Sequence, residues 1–153
     1  MFNKLFKKKT SVYQPVSGTV ISLQEVDDEV FSSEMMGIGF AVRPDSSEIV
    51  SPIAGTIDSI FPTKHAFTMK GPQGIELLVH IGTDTVELNG EGFELLVKAG
   101  DQVAAQQSIM NVDFKAIKEA GKGTEVMVVF PNLEKNRNEQ FDVSNQRTLV
   151  AEL

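Results

Sequence analysis

Apolar residues along this chain come in short runs rich in Val, Ile, Phe and Thr, and Gly, Pro, Asp or Ser interrupts them at close intervals. Recurrence at helical spacing is scarce. Short apolar runs between turn residues mark an all-β sandwich or barrel. They predict strands at 18–23, 38–42, 48–50, 55–60, 66–69, 75–81, 93–96, 108–112, 125–130 and 148–152. Residues 114–120 read as a helix, with Asp113 as N-cap and Gly121 as stop. A short turn is expected near 83–87. Pro15-Val-Ser-Gly-Thr-Val-Ile-Ser22 matches Pro52-Ile-Ala-Gly-Thr-Ile-Asp-Ser59, the same turn-into-strand used twice. That match suggests a sandwich with pseudo-symmetric halves.

Gly71-Pro-Gln-Gly74 has the composition of a tight turn, and strand-like residues flank it on both sides. A hairpin closed there pairs Lys70 with Ile75, Thr68 with Leu77 and so His65 with His80. Directly opposed residues place their Cβ atoms ~4.5–5.5 Å apart. A bulge would slip the pairing by one residue and send the two rings to opposite faces. Ile75, Leu77, Val79 and Ile81 form one face, suited to a core. Glu76, Leu78 and His80 form the other, and the same register adds Thr63, His65, Phe67 and Phe61 to it. An apolar patch around a polar pair has the character of a docking surface.

Three readings of the histidine pair stay open on spacing alone. One is covalent phosphoryl transfer. A neutral imidazole attacks through its bare nitrogen while an acceptor holds the other nitrogen as N–H. The second ring then donates to the phosphoryl oxygens, and a threonine hydroxyl orients it. Another is metal binding, with Glu76, Asp84 or a partner's carboxylate as third ligand. The last is two unrelated histidines.

Composition narrows the field. The chain has 153 residues, 14 Lys+Arg, 21 Asp+Glu, a net charge of -7, a pI near 4.8, two histidines and no cysteine. Disulfides, thiolate metal sites and cysteine nucleophiles are excluded. Lys4, Lys7, Lys8 and Lys9 stand in the first ten positions with no acid among them. Subtracting those four leaves 10 basic against 21 acidic residues, a net of -11. A body that acidic repels phosphate backbones, so nucleic-acid binding is not expected. Residues 1–11 read as a flexible basic segment and 12–153 as a single domain.

The run Thr63-Lys-His65-Ala-Phe67, then Glu76-Leu-Leu-Val-His80-Ile-Gly82-Thr-Asp84-Thr-Val-Glu-Leu88 and Asn89-Gly-Glu-Gly-Phe93, closely resembles the glucose-type IIA component of the bacterial phosphoenolpyruvate-dependent sugar phosphotransferase system. Val50-Ser-Pro-Ile-Ala-Gly-Thr56 and Gly100-Asp-Gln-Val103 extend the likeness, which covers residues 16–129; the segment after Phe130 does not carry it strongly. The resemblance implies a compact antiparallel β-sandwich with a duplicated motif and one or two short helices. His80 matches the phosphorylated histidine, His65 the supporting histidine and Thr63 its hydroxyl partner. Phosphate is then expected to arrive from the carrier HPr and to leave to a cysteine on the IIB domain of a sugar permease. Phe31, Phe61, Phe67 and Leu78 are expected in the docking patch, with Met35 and Met36 more loosely placed. Asp84 is expected at its rim, facing a basic partner. No cofactor is implied beyond the covalent phosphoryl group, although His65 and His80 suit a zinc ion at a partner interface. The expected protein is a cytoplasmic monomer.

Two rivals share parts of the pattern. A biotinyl or lipoyl carrier domain would use Lys70 in its hairpin turn, but Gly71 follows where a biotinyl motif has Met. A zinc peptidase needs a His-x-His pair, and Leu78 stands where the first His belongs. The basic start has a further reading. Phe2, Leu5 and Phe6 share one face of a helical turn with lysines around them, which suits a foothold on an anionic membrane surface. Ten residues are too few for a stable helix in water, which favours a solubilising tail. Under the foothold reading, deleting residues 1–10 abolishes sedimentation with anionic liposomes; equal sedimentation of both forms excludes it.

Overall fold

A computed structural model describes residues 9–153. The basic start, and with it the membrane foothold over Phe2, Leu5 and Phe6, lies outside the described residues. Thr10 and Ser11, expected in the flexible segment, belong to the folded body. Thr10 is buried and exchanges backbone hydrogen bonds with Leu153.

Twelve strands follow one another: β1 (Ser11–Tyr13), β2 (Gly18–Ser22), β3 (Ile38–Pro44), β4 (Glu48–Val50), β5 (Gly55–Ile60), β6 (Ala66–Lys70), β7 (Glu76–Thr83), β8 (Phe93–Leu95), β9 (Gln102–Val103), β10 (Ser108–Val112), β11 (Gly123–Phe130) and β12 (Leu149–Glu152). Two short helices interrupt them, α1 (Glu29–Ser32) and α2 (Phe114–Glu119). Seven strands form one antiparallel sheet in the order β2-β3-β11-β7-β6-β5-β9. A three-stranded sheet, β4-β10-β8, and the pair β1-β12 complete the β-sandwich. Asp113 caps α2, its carboxylate accepting from the Ala116 N–H at 3.0 Å.

The two halves of the sequence repeat occupy equivalent places. β2 pairs with β3 toward one end of the large sheet, and β5 pairs with β6 toward the other. The shared glycine has the same steric cause in both. A side chain on Gly18 would strike the carbonyl oxygen of Arg43, and one on Gly55 that of Lys70. Each glycine lets its strand approach its neighbour closely.

The large sheet buries both faces. Its inner face carries Phe40, Val42, Ile57, Phe67, Met69, Leu77, Val79, Ile81, Val126 and Val128 into the main core, opposite Ile49, Ile109 and Phe93. Its outer face carries Ile21, Ala41, Met127 and Val129, covered by Leu23, Val26 and Phe31 from the segment between β2 and β3. β7 alternates cleanly, with Leu77, Val79 and Ile81 inward and Leu78 and His80 outward. The candidate site residues Leu78 and His80 therefore stand on the outer face, beside the small second core.

The β6–β7 hairpin departs from the expected register by one residue. Lys70 faces Glu76, Thr68 faces Leu78 and Ala66 faces His80. The turn is a tight Pro72–Gly74 segment closed by a bond from the Gly71 N–H to the Ile75 carbonyl, with Gln73 in the left-handed region. This slip moves Phe67 to the inner face, where it pairs with Val79 and is fully buried. Phe67 is thus a core residue and not part of a docking patch. Phe67→Ala should cost about 3–5 kcal/mol of stability through the cavity it leaves. Chemical denaturation checks this; a cost below about 1 kcal/mol would return Phe67 to the surface.

Candidate functional site

The register slip ought to separate the two histidines, yet their ring centroids lie 4.9 Å apart at 77°. The cause is the turn before β6. The Lys64 N–H bonds to the Phe61 carbonyl, and Lys64 itself takes a left-handed backbone with φ 63°. His65 consequently stands outside the strand, which begins at Ala66. Its carbonyl still accepts from the Ile81 N–H at 2.7 Å, while its ring packs against that of His80. The same turn folds Thr63 back, so that Thr63 Oγ1 lies 2.6 Å from His65 Nδ1.

His80 is fixed from the other side. Its Nδ1 lies 2.8 Å from the Gly82 carbonyl oxygen, which can only accept, so Nδ1 carries the proton and Nε2 keeps a bare lone pair. Gly82 presents that carbonyl from a left-handed conformation with φ 74°. A Cβ there would lie 2.5 Å from the Gly123 carbonyl oxygen and 2.6 Å from Thr85 Cγ2, so no other residue fits. Thr85 is fully buried and its hydroxyl donates to the Ile81 carbonyl at 2.5 Å, closing the turn around Gly82. The ion pair Lys122–Glu87, at 3.1 Å, ties the following 3₁₀ turn Thr85–Leu88 to the loop before β11.

A depression of about 280 Å³ opens at His80, lined by Phe31, Leu78, Val30, Met36, Phe61 and Val86, with Asp28, Asp84 and Thr85 among them. The Phe31 ring packs 4.9 Å from the His80 ring, and Phe61 meets His65 edge-on at 5.4 Å. Val30, Met36, Phe61 and Val86 are exposed despite being apolar. A larger groove of about 710 Å³ lies between residues 44–47, β8 and the start of α2, and contains neither histidine.

Sequence reasoning therefore placed His80, His65, Thr63, Phe31, Phe61, Leu78 and Asp84 at one site, and Phe67 wrongly. It missed Asp28, Val30, Thr85 and Val86. Asp28 caps α1, its carboxylate accepting from the Val30 N–H at 2.9 Å, and its residue type is the one sequence signal for that role. Glu76 cannot act as a ligand with the histidines, since it sits at the turn end of β7 opposite Lys70. Among the described residues, no group of three or more His, Asp or Glu is placed to hold a metal ion.

Burial dominates the electrostatics. It pushes His80 down from 6.5 to about 4, and the His65 ring adds to the depression. The Gly82 carbonyl and the Asp28 carboxylate oppose it without overcoming it. Burial also lowers His65. Both imidazoles are neutral at neutral pH, so the His80 lone pair is available and the pair does not repel itself.

The model of the family described as phosphoenolpyruvate-dependent sugar phosphotransferase system, EIIA 1, matches residues 10–136. The chain is 42% identical over 138 residues to a Staphylococcus aureus protein named "PTS system glucose-specific EIIA component", covering 86% of this chain and 83% of that one. It is 46% identical over 121 residues to the "PTS system glucoside-specific EIICBA component" of Staphylococcus carnosus, covering 79% of this chain and 18% of the relative. The solved structure of glucose permease IIA from Mycoplasma capricolum superposes with a TM-score of 0.87 at 38% identity, covering 96% of this chain and 97% of that one.

With its folded-state value below its unfolded one, His80 binds fewer protons in the native state than in the unfolded chain between pH 6.5 and 4. Stability therefore falls as pH drops through that window. An NMR titration should place the His80 midpoint near 4, and His80→Gln should flatten part of the stability loss. A midpoint near 6.5 would contradict the burial argument.

Proposed function

The chain belongs to the EIIA 1 family of the phosphoenolpyruvate-dependent sugar phosphotransferase system, whose members relay phosphoryl groups, and on that premise we propose that His80 is the residue that carries the phosphate. The observation that carries the assignment is the bond from His80 Nδ1 to the Gly82 carbonyl at 2.8 Å. It leaves Nε2 as the free nucleophile, in a ring that stays neutral.

In the proposed step, Nε2 of His80 attacks the phosphorus of the phosphohistidine on the donor HPr. The P–Nε2 bond forms as the bond to the donor's ring nitrogen breaks. The positive charge that develops on the His80 ring is taken up by the Nδ1–H bond to Gly82. His65 supports the transferred group. With Thr63 donating its hydroxyl proton to Nδ1, the proton of His65 sits on Nε2 as a donor to a phosphoryl oxygen. In the second half, a cysteine thiolate on the IIB domain of a sugar permease attacks the same phosphorus, and His80 leaves as neutral imidazole. The permease then phosphorylates its sugar during uptake, in the glucose class that the relatives' names give.

Both partners would use the one depression in turn. Val30, Phe31, Met36, Phe61, Leu78 and Val86 supply the apolar contact, and Asp28 and Asp84 meet a partner's cations at its edge. Such a relay works at the inner face of the membrane, in the cytoplasm, while the permease holds the transmembrane path. Among the described residues, no helix is long and apolar enough to cross a membrane. The carrier-domain alternative is disfavoured: Lys70 lies at the hairpin-turn end of β6, the end away from His65 and His80, with its amine 3.7 Å from the Asp58 carboxylate.

Incubation with phosphoenolpyruvate, Enzyme I and HPr, followed by intact-mass measurement, tests the roles. Wild type should gain one phosphoryl group and His80→Ala none. His65→Ala should still gain it, more slowly, and fail to pass it to the IIB domain. Phosphate on His65 with His80 bare would reverse the assignment.

A further inference from the structure

The chain has six methionines and no cysteine, so thioethers are its softest nucleophiles. Met69, Met110 and Met127 are at most 1% exposed, and Met1 lies outside the described residues. Met35 and Met36 are different. Met35 is 77% exposed, more than Val30, Phe61, Val86 or Leu96, and Met36 is 39% exposed. They sit between two buried anchors, Phe31 and Ile38, on the segment that covers the outer face of the large sheet. Met36 lines the depression at His80, together with Phe61, Leu78 and Val86. Core packing therefore does not account for these two side chains.

We propose that Met35 and Met36 form an oxidation site that controls docking at the His80 depression. The inference rests on the relay reading given above. The oxidant is a peroxide. A thioether lone pair forms the S–O bond as the peroxide O–O bond breaks. Sulfur loses two electrons, and the second oxygen, now reduced, leaves as water with the peroxide's protons. The product sulfoxide is polar and chiral where the thioether was apolar and adaptable. A docked partner would have to strip water from that S=O dipole without offering it a donor, against a wall made of Phe31, Phe61, Leu78 and Val86. Oxidation thus weakens docking and leaves the His80–Gly82 bond, and with it the chemical step, untouched. A seated partner covers Met36, so the free form is the vulnerable one. Sulfoxide reduction restores the surface.

The test uses the full chain with and without hydrogen peroxide. Peptide mass spectrometry should place one oxygen on Met35 and one on Met36 before any on Met69, Met110 or Met127. In the phosphorylation assay with varied HPr, the treated protein should show a KM about fivefold higher or more, with kcat changed by less than about twofold. Methionine sulfoxide reductase should return the KM to its starting value. The double variant Met35→Leu, Met36→Leu sets its own untreated KM, and peroxide should leave that KM where it is. An unchanged KM on protein carrying both oxygens would overturn the inference. So would equal inhibition of the double variant, or a fall in kcat alone. If untreated wild type takes up no phosphate from HPr, the relay reading itself falls and this inference with it.

Discussion

Nearly every feature around the site serves one hydrogen bond, from His80 Nδ1 to the carbonyl of Gly82. A strand cannot offer its own residue two positions on as a side-chain acceptor while its backbone stays extended. The strand must kink at that residue, and the β7–β11 register shifts there. Gly82 does so with a left-handed backbone in a space closed by Gly123 and Thr85, where a side chain would collide. Thr85 then locks the turn by donating to Ile81. β11 holds the other side, pairing Met127 with His80 and Val128 with Val79. The tautomer of one imidazole is therefore set by a glycine, a buried threonine and the central strand pair of the large sheet. A reaction that needs a bare nitrogen in a fixed direction gains from being built on rigid elements in this way.

The second constraint is that the large sheet is buried on both faces. An antiparallel sheet commonly leaves one face to water. Here the outer face is partly covered by Leu23, Val26 and Phe31 from the segment between β2 and β3. Coverage stops at His80, where the Phe31 ring rests against the imidazole. The exposed Val30, Met36, Phe61 and Val86 then form the margin of an incomplete core. On the proposed reading, a partner would complete it. The same partial burial explains why His80 titrates so far below an ordinary histidine: the ring is desolvated by the unfinished core before any partner arrives.

Much of this was legible in the sequence, for physical reasons that differ by element. The longer strands of the large sheet, β2, β3, β5, β6, β7 and β11, read clearly because their apolar runs span five to eight residues. β1 and β9 are three and two residues long, too short to carry a period. α1 is four residues and was invisible, although Asp28 supplies an ordinary N-cap. The hairpin register was misread because the Gly71–Ile75 closure holds three residues, Pro72–Gly74, where a four-residue loop was the simpler reading. That error put Phe67 on the wrong face but did not separate the histidines. The left-handed Lys64 turns the chain just before His65, so a wrong register and an unforeseen turn led to the same juxtaposition. No local sequence signal specifies a lysine in the left-handed region. The packing of the turn imposes it, and a sequence alone does not show that packing.

The charge at the site has an odd balance that the fold makes sense of. On the proposed assignment, a phosphoryl group would bring negative charge to a depression whose acidic side chains, among the described residues, are Asp28 and Asp84, on a body that is already acidic. Neither histidine offers a cation in compensation, since burial keeps both neutral. A site meant to store phosphate tightly would present arginine or lysine instead. This one supplies hydrogen-bond donors and leaves charge compensation to whatever docks, and the two carboxylates attract a cation on that partner. Phosphate held by neutral donors alone stays easy to remove. Loose retention is the property that a relay needs and a store does not: the group must leave for the next protein as readily as it came. On the proposed reading, the acidic rim and the neutral imidazole pair are thus two parts of one device, in which stabilising charge would be present during transfer and would depart with the partner.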